Sequence, residues 1–373
     1  MRRTLVIDAL GPGGAQRVLT SMANHWAAKG EVVTLITLDG DAPPAFALHA
    51  SVTLIRLATI RAASGVFQRL WRRTRHIPAL RKAIAKTRPD AVVSFIDRVN
   101  VLVLLATRGF PAPVVVAERT EPSAYSVGWM WERLRSRTYP SAAALVAQSA
   151  AALRYFLPVP GRIDRVIPNP VLRAGTRAAG PKLAGSHRRV LGMGRLGPEK
   201  GFDRLLAAFA VVAPRFPEWE LEIRGEGPER AALERQRTEL GLDTRARLPG
   251  VAQDAAQSMS SADLFVLSSR FEGFPNVLGE AMAAGLPVIS YDCPSGPREI
   301  VRHEIDGLLV PPEGGVPGLS AALARLMGDA SERARLAARA PEVVLRFDLE
   351  RVMGLWDELL ADVAGGARSE VRR

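Results

Sequence analysis

Glu272 and Glu280 stand eight residues apart around Gly273-Phe274-Pro275-Asn276, ahead of an Ala-rich helical run that ends at Gly285. Carboxylates that merely decorate a helix pair with cations three or four positions away, and that account does not cover this spacing. Asn276 is a favourable N-cap for a helix through Ala284, and Gly285 stops it. The amides of such a helix start attract an anion. A carboxylate on the loop before it suits sugar hydroxyls, and one a turn inside suits both hydroxyls of a ribose. A second cluster lies upstream, in Leu191-Gly192-Met193-Gly194-Arg195-Leu196-Gly197-Pro198-Glu199-Lys200-Gly201. Its cations Arg195 and Lys200 follow a strand-like run and suit a diphosphate. Charge-assisted hydrogen bonds contribute about 1.5–3 kcal/mol each, more than the roughly 0.3–1 kcal/mol of a helix dipole. The chemistry these residues have in common is the binding of a nucleotide sugar; a plain loop with two solvated charges is the alternative for Arg195 and Lys200.

Other patterns compete. Gly192, Gly194 and Gly197 also spell G-x-G-x-x-G, the dinucleotide fingerprint, which would make the chain an NAD(P)-dependent oxidoreductase. In that motif the third glycine lies inside the helix, whereas Pro198 belongs at a helix start. The helix therefore begins near Lys200, with Phe202, Leu205, Leu206 and Phe209 inward. The acidic residue expected about twenty positions on has only Glu222 as a mid-strand candidate. Asp39-Gly40-Asp41 resembles a D-x-D metal motif but reads better as a solvated turn. His25, His49, His76, His187 and His303 have no metal-ligand spacing, so no metal is expected. Cys293, the one cysteine, reads as a packing residue in a protein of a reducing compartment.

These residues need a scaffold, and the chain supplies an alternation of strands and helices. Thr4–Asp8, Val32–Leu38, Ala91–Phe95, Pro113–Ala117 and Ala144–Ala147 read as buried strands. Arg173–Arg189 is polar and Gly/Ala/Arg-rich, the best linker. The alternation restarts at Arg189–Met193 and continues through Leu221–Arg224, Ala246–Leu248, Asp263–Leu267, Pro287–Ser290 and Gly307–Val310. This predicts an α/β chain of two Rossmann-like, doubly wound domains, 1–172 and 173–347. A helix over 348–363 packs back on the first domain, and 364–373 is a disordered tail. Ligands of such sheets bind outside the carboxyl ends of the strands, here in a cleft between domains.

The chain has 373 residues and a net charge of +12. Residues 1–171 hold 23 Lys and Arg against 10 Asp and Glu, so the excess charge belongs to the first half. Arg61 to Arg88 holds nine basic residues and no acidic one. Two readings fit it: a core-packed helix with a solvated cationic side, or a face that docks on anionic lipid. Trp129 and Trp131 beside Arg133, Arg135 and Arg137 pose the same choice. No recognition motif accompanies the charge, so nucleic acid is not expected as a partner. No apolar run is long enough to span a membrane, nor does the amino terminus suit a signal peptide.

The segment E-G-F-P-N-V-L-G-E-A-M-A-A-G-L-P-V-I resembles the E-x7-E block of the family 4 retaining glycosyltransferases of GT-B fold. Ile167-Pro168-Asn169, Gly225-Glu226-Gly227-Pro228 and Leu248-Pro249-Gly250 fall where that family has similar segments. Asp292-Cys293-Pro294-Ser295-Gly296-Pro297-Arg298-Glu299-Ile300 resembles the branch of amylovoran-type galactosyltransferases and N-acetylgalactosaminyltransferases of lipid-linked oligosaccharide assembly. The resemblance implies transfer of Gal, GalNAc, Glc or GlcNAc from a UDP-sugar to a growing glycan, with retention. A polyprenyl-diphosphate-linked acceptor at the cytoplasmic membrane face is implied, with a soluble small-molecule acceptor as the alternative. It implies that Arg195 and Lys200 neutralise the leaving diphosphate, that Glu272 positions the donor sugar and that Glu280 binds the ribose. Gly273, Phe274, Pro275, Asn276 and Val277 would touch sugar and phosphate; Gly13, Gly14, Arg17 and Gly194 would admit the phosphates, with the base near Arg224 and Val251. Glu118, in A-E-R-T-E-P, would orient the acceptor. Neither cofactor nor metal is implied.

Overall fold

The β-branched apolar runs form thirteen strands in the computed structural model, which describes residues 1–39, 43–57, 66–172, 188–252 and 254–370, with the backbone alone for 66–75 and 366–370. They divide between two units, Met1–Asn169 with Glu350–Arg373, and Pro170–Leu349.

The first unit contains β1 (Arg2–Ile7), β2 (Val32–Thr37), β3 (Thr53–Arg56), β4 (Ala91–Phe95), β5 (Val114–Ala117), β6 (Ala144–Ala147) and β7 (Ile163–Val166). All are parallel, in the order β3-β2-β1-β4-β5-β6-β7. The residues of β4, β5 and β6 are all buried, as a sheet covered on both faces requires. Sequence reading misses β3 and β7. Both are short edge strands with no buried residue, so neither carries an apolar run. The helix Gly14–Ala28 buries Val18, Leu19, Met22 and Trp26, the face its periodicity predicts.

The helix Leu349–Glu370 closes this unit from Glu350 onward. Trp356 is buried with its ring 6.2 Å from that of Phe95, and Asp357 accepts hydrogen bonds from Arg3 and the Trp26 indole. Residues 364–370, whose composition reads as a tail, continue this helix. Once packing has fixed the earlier turns, each further residue extends a helix at little cost.

The second unit contains β8 (Arg188–Met193), β9 (Trp219–Arg224), β10 (Ala246–Gly250), β11 (Leu264–Leu267), β12 (Val288–Tyr291) and β13 (Leu308–Val310). These too are parallel, in the order β10-β9-β8-β11-β12-β13. The order reverses between β8 and β11, and a doubly wound sheet binds ligands at the carboxyl edge of that switch. The loops that leave this edge carry Arg195, Lys200 and Glu272. The Val171 amide donates to the Phe347 carbonyl at 2.8 Å, joining the two ends of the unit. Of the expected linker, residues 173–187 lie outside the described residues, as do Gly40 and Asp41 of the D-x-D motif, Arg61 and His187.

Candidate functional site

The loop after β8 does not run straight into a helix. A tight turn over Pro198–Lys200 precedes Gly201, and the helix Phe202–Val212 follows with Phe202, Leu205, Leu206 and Phe209 buried. Gly197 therefore lies outside the helix, unlike the third glycine of a dinucleotide loop. Glu222 is buried and clamped by Arg224 at 2.5 Å and Arg189 at 3.4 Å, so it serves the strand. Gly201 has φ +62°, and a Cβ there would sit 2.2 Å from the Ser268 carbonyl oxygen. Only glycine lets the two loops approach this closely.

That approach brings Lys200 to Glu272. The Lys200 ammonium lies 2.7 Å from Glu272 Oε1, and the Ser269 hydroxyl donates to the same oxygen at 2.6 Å. The Ser295 hydroxyl donates to the Glu272 carbonyl at 2.6 Å, and the Ser268 hydroxyl to the Lys200 carbonyl at 2.9 Å. Glu272 is 8 % exposed, and Ser268, Ser269 and Ser295 are buried. Three serines thus hold the acid and the base of one ion pair by side chain or main chain. Arg195, on the same loop, keeps 66 % of its side chain in solvent and pairs with Glu199 at 2.9 Å. The loops are also joined by the Arg270 amide to the Glu199 carbonyl and by Arg270 to Asp203 at 2.6 Å.

Phe274 answers for the aromatic in this loop. Its ring is buried edge-on against Phe347, 5.3 Å between centroids, and so anchors the turn that delivers the next helix. That helix spans Asn276–Ala283, with Pro275 at the cap position and no side-chain cap. Asn276 is thus the first helical residue rather than the cap, because Pro275, with φ fixed by its ring, already supplies the non-helical residue. Val277 and Glu280 are half-buried, Glu280 one turn inside. The carboxyl ends of β8, β9 and β10 are laced beside it. Gly194 donates to Arg224, Gly225 to Gly250, and Leu196 to Glu226, at 3.0, 2.9 and 2.9 Å. Val251 projects at 62 % exposure beyond them. Cys293 is buried, and burial foremost pushes its thiol up to about 12, so it packs and does not attack.

In the first unit Gly13 precedes the helix Gly14–Ala28 in extended conformation, and Gln16 reaches Asp8 at the end of β1, 3.3 Å. Arg17 lies 6.0 Å from the Phe46 ring. Glu118 and Arg119 follow β5 and turn to opposite surroundings. Arg119 stacks over Phe95 at 3.5 Å, faces Trp356 at 5.8 Å and donates to Asn169 at 2.8 Å. Glu118 is 1 % exposed. Tyr139 donates to its Oε1, Asn100 donates to the Tyr139 hydroxyl at 3.1 Å, and Ser94 donates to Asn100 at 2.7 Å. Instead of lying open to an acceptor, the carboxyl is the end of an interior chain of hydrogen bonds. Sequence reading missed Tyr139 and Asn100, which sit on separate elements and carry no local signal.

Burial pushes the Glu118 carboxyl from 4.5 up to about 7, against the Tyr139 hydrogen bond and the field of Arg135. Between these values the folded chain holds a proton that the unfolded chain has released. The stability this group allows is complete below the lower value and is lost as pH rises through the upper one. Glu118→Gln keeps the acceptor for Tyr139 and removes the titration. Urea unfolding at about pH 5 and about pH 8 should show the wild type losing at least roughly 1 kcal/mol more than the variant.

Residues 13–170 match the family Glycosyl transferase 4-like domain, and residues 179–343 match Glycosyl transferases group 1. An exopolysaccharide phosphotransferase of Streptomyces coelicolor is 39 % identical over 180 residues, 48 % of this chain and 19 % of that protein. A GalNAc-alpha-(1->4)-GalNAc-alpha-(1->3)-diNAcBac-PP-undecaprenol alpha-1,4-N-acetyl-D-galactosaminyltransferase of Campylobacter jejuni is 25 % identical over 364 residues, 97 % of this chain and 99 % of that protein. Among solved structures, Anabaena HepE in complex with UDP and glucose superposes with a TM-score of 0.77 at 22 % identity, covering 97 % of this chain and 99 % of that one. The two parallel-sheet units are those of the GT-B fold.

Proposed function

The chain belongs to the glycosyl transferases of group 1, with a glycosyl transferase 4-like amino-terminal part, and on that footing we propose that it moves a hexose or N-acetylhexosamine from a UDP-sugar, with retention, to a growing polyprenyl-diphosphate-linked glycan. The observation that carries this is the Lys200–Glu272 pair held by Ser269, with Glu272 four residues before a helix start without a side-chain cap. Lys200 and Arg195 would neutralise the leaving diphosphate, and Glu272 would hold the donor sugar. The amides that begin at Asn276 would receive the phosphate, and Glu280 the ribose. The complex of HepE with UDP and glucose supports the donor, and the undecaprenol-linked substrate in the name of the Campylobacter relative supports the acceptor.

Double displacement needs two carboxylates about 5 Å apart across the bond. Among the described residues Glu272 is held by a lysine and two serines rather than by a second carboxylate. We therefore favour substitution on one face of the sugar, in which the departing phosphate takes the proton of the acceptor hydroxyl. Catalysis is then positioning and charge stabilisation. Glu118, enclosed under β5, acts in this reading through the backbone it anchors rather than by touching the acceptor. The enzyme would work at the cytoplasmic membrane face without a metal or cofactor; no helix among the described residues is long and apolar enough to cross a membrane.

Thermal unfolding with UDP, GDP, ADP and NAD(P)H tests the donor site. UDP at a hundred times its dissociation constant should stabilise the wild type by about 2.7 kcal/mol, and Glu280→Ala should lose that shift. A shift with NAD(P)H and none with UDP would overturn the reading.

A further inference from the structure

The helix Trp129–Thr138 sends its two tryptophans in opposite directions. Trp131 packs against the core of the first unit with Arg98 5.5 Å from its ring, whereas Trp129 is 79 % exposed. Arg133 and Arg137 follow Trp129 at intervals of four and are exposed, so the three share the outward face. Arg135 turns inward. It is buried, binds Glu132 at 2.5 Å and the Tyr155 hydroxyl at 3.2 Å, and lies 5.2 Å from the rings of both Tyr155 and Phe156. That contact sets the segment after β6 against the helix. Arg154 and Tyr155 of this segment are exposed, and Leu157 is 82 % exposed. The acids alongside are already engaged, Glu132 by Arg135 and Asp164 by Arg162 at 2.6 Å. On the helix an indole and two arginines face outward, and on the segment beside it Arg154 and Leu157 are exposed while the Tyr155 hydroxyl stays turned to Arg135.

We propose that the first unit docks on an anionic phospholipid surface through Trp129, Arg133 and Arg137, with Arg154 and Leu157 beside them. It deepens the proposed lipid-linked acceptor and rests on that reading for its purpose. Aromatic side chains partition to the headgroup level of a bilayer, and arginines beside them add attraction to anionic lipid. A second copy of the chain is a poorer occupant. A two-fold contact sets the same patch against itself and would bring arginines to arginines. The surrounding charge favours the same partner, with 23 Lys and Arg against 10 Asp and Glu over residues 1–169. Trp129 begins its helix directly after the loop that leaves the carboxyl end of β5. Headgroups at Trp129 would therefore lie at the sheet edge where a doubly wound unit receives its ligand.

Co-sedimentation with vesicles of phosphatidylcholine, with and without phosphatidylglycerol, tests this without any glycan or activity. The wild type should bind the anionic vesicles and not the neutral ones. Trp129→Ser with Leu157→Ser should weaken binding at least about tenfold, and Arg133→Ser with Arg137→Ser should do so by about fivefold per arginine. Both variants should keep the UDP-induced thermal shift, which reports that they fold. Wild-type binding that neither pair changes would overturn the surface, as would no binding at all, or a dimer in solution that the substitutions dissolve. Vesicle binding without a UDP shift would sink only the donor reading, and a UDP shift without vesicle binding only this one.

Discussion

Lys200→Ala and Glu272→Gln should each lower kcat for sugar transfer by about 10²–10³-fold, the loss seen when one preorganised charge-stabilising group is removed. The Lys200 ammonium is the cation that the Pro198–Lys200 turn and Gly201 aim at the β8–β11 switch, and a leaving diphosphate gains charge only as the bond breaks. An interaction that strengthens in the transition state acts on kcat, not on KM alone. Glu272 is bound to the same ammonium at 2.7 Å, so each residue positions the other. The double variant should then be far less impaired than the product of the two single losses. Single-turnover rates at saturating donor check this. Multiplying losses would show that the residues act independently, and a raised KM with unchanged kcat would show that Lys200 only binds.

Gly225→Ala carries the largest expected effect on stability. Gly225 has φ +152°, and a Cβ there would stand 1.8 Å from the Gly194 carbonyl oxygen. Neither group can yield easily, because the Gly194 amide is bonded to Arg224 and the Gly225 amide to Gly250. Overpacking of this kind together with an unfavourable φ costs about 3 kcal/mol or more. For a unit of this size that lowers the melting temperature by roughly 6–12 °C. Calorimetry should assign the loss to the carboxyl-terminal unit, and UDP affinity should fall with it, since Gly194 leads directly into Arg195. A melting temperature within about a degree of the wild type would refute the account.

The parallel strands were legible wherever both faces are covered, since β5, β6 and β11 are unbroken apolar runs and β4 is interrupted only by Ser94. Edge strands β3 and β7 were not, because half-exposed strands of four residues have no such run. Lys200, Glu272 and their loops were legible from charge and from Pro and Gly placement. Their contact was not, for Ser269 and Ser295 look like any loop serines until the fold sets one on the Glu272 carboxylate and the other on its carbonyl. Glu118 shows the opposite limit. A charged residue at a strand end reads as a site residue, and only Tyr139, twenty-one positions on, reveals that it points into the interior.

The helix Leu349–Glu370 gives the chain an order of completion. Phe95, Arg3 and Trp26 meet their partners Trp356 and Asp357 only when those residues, more than 300 positions after Trp26, have been made. Between them lie the 180 residues of Pro170–Leu349, which fold as an insertion with adjoining ends. At ribosomal speeds of about 5–20 residues per second, the amino-terminal sheet waits on the order of 10–40 seconds for its closing helix. During that interval an aromatic surface around Phe95 and Trp26 is open to chaperones, and the carboxyl-terminal unit is the first to finish.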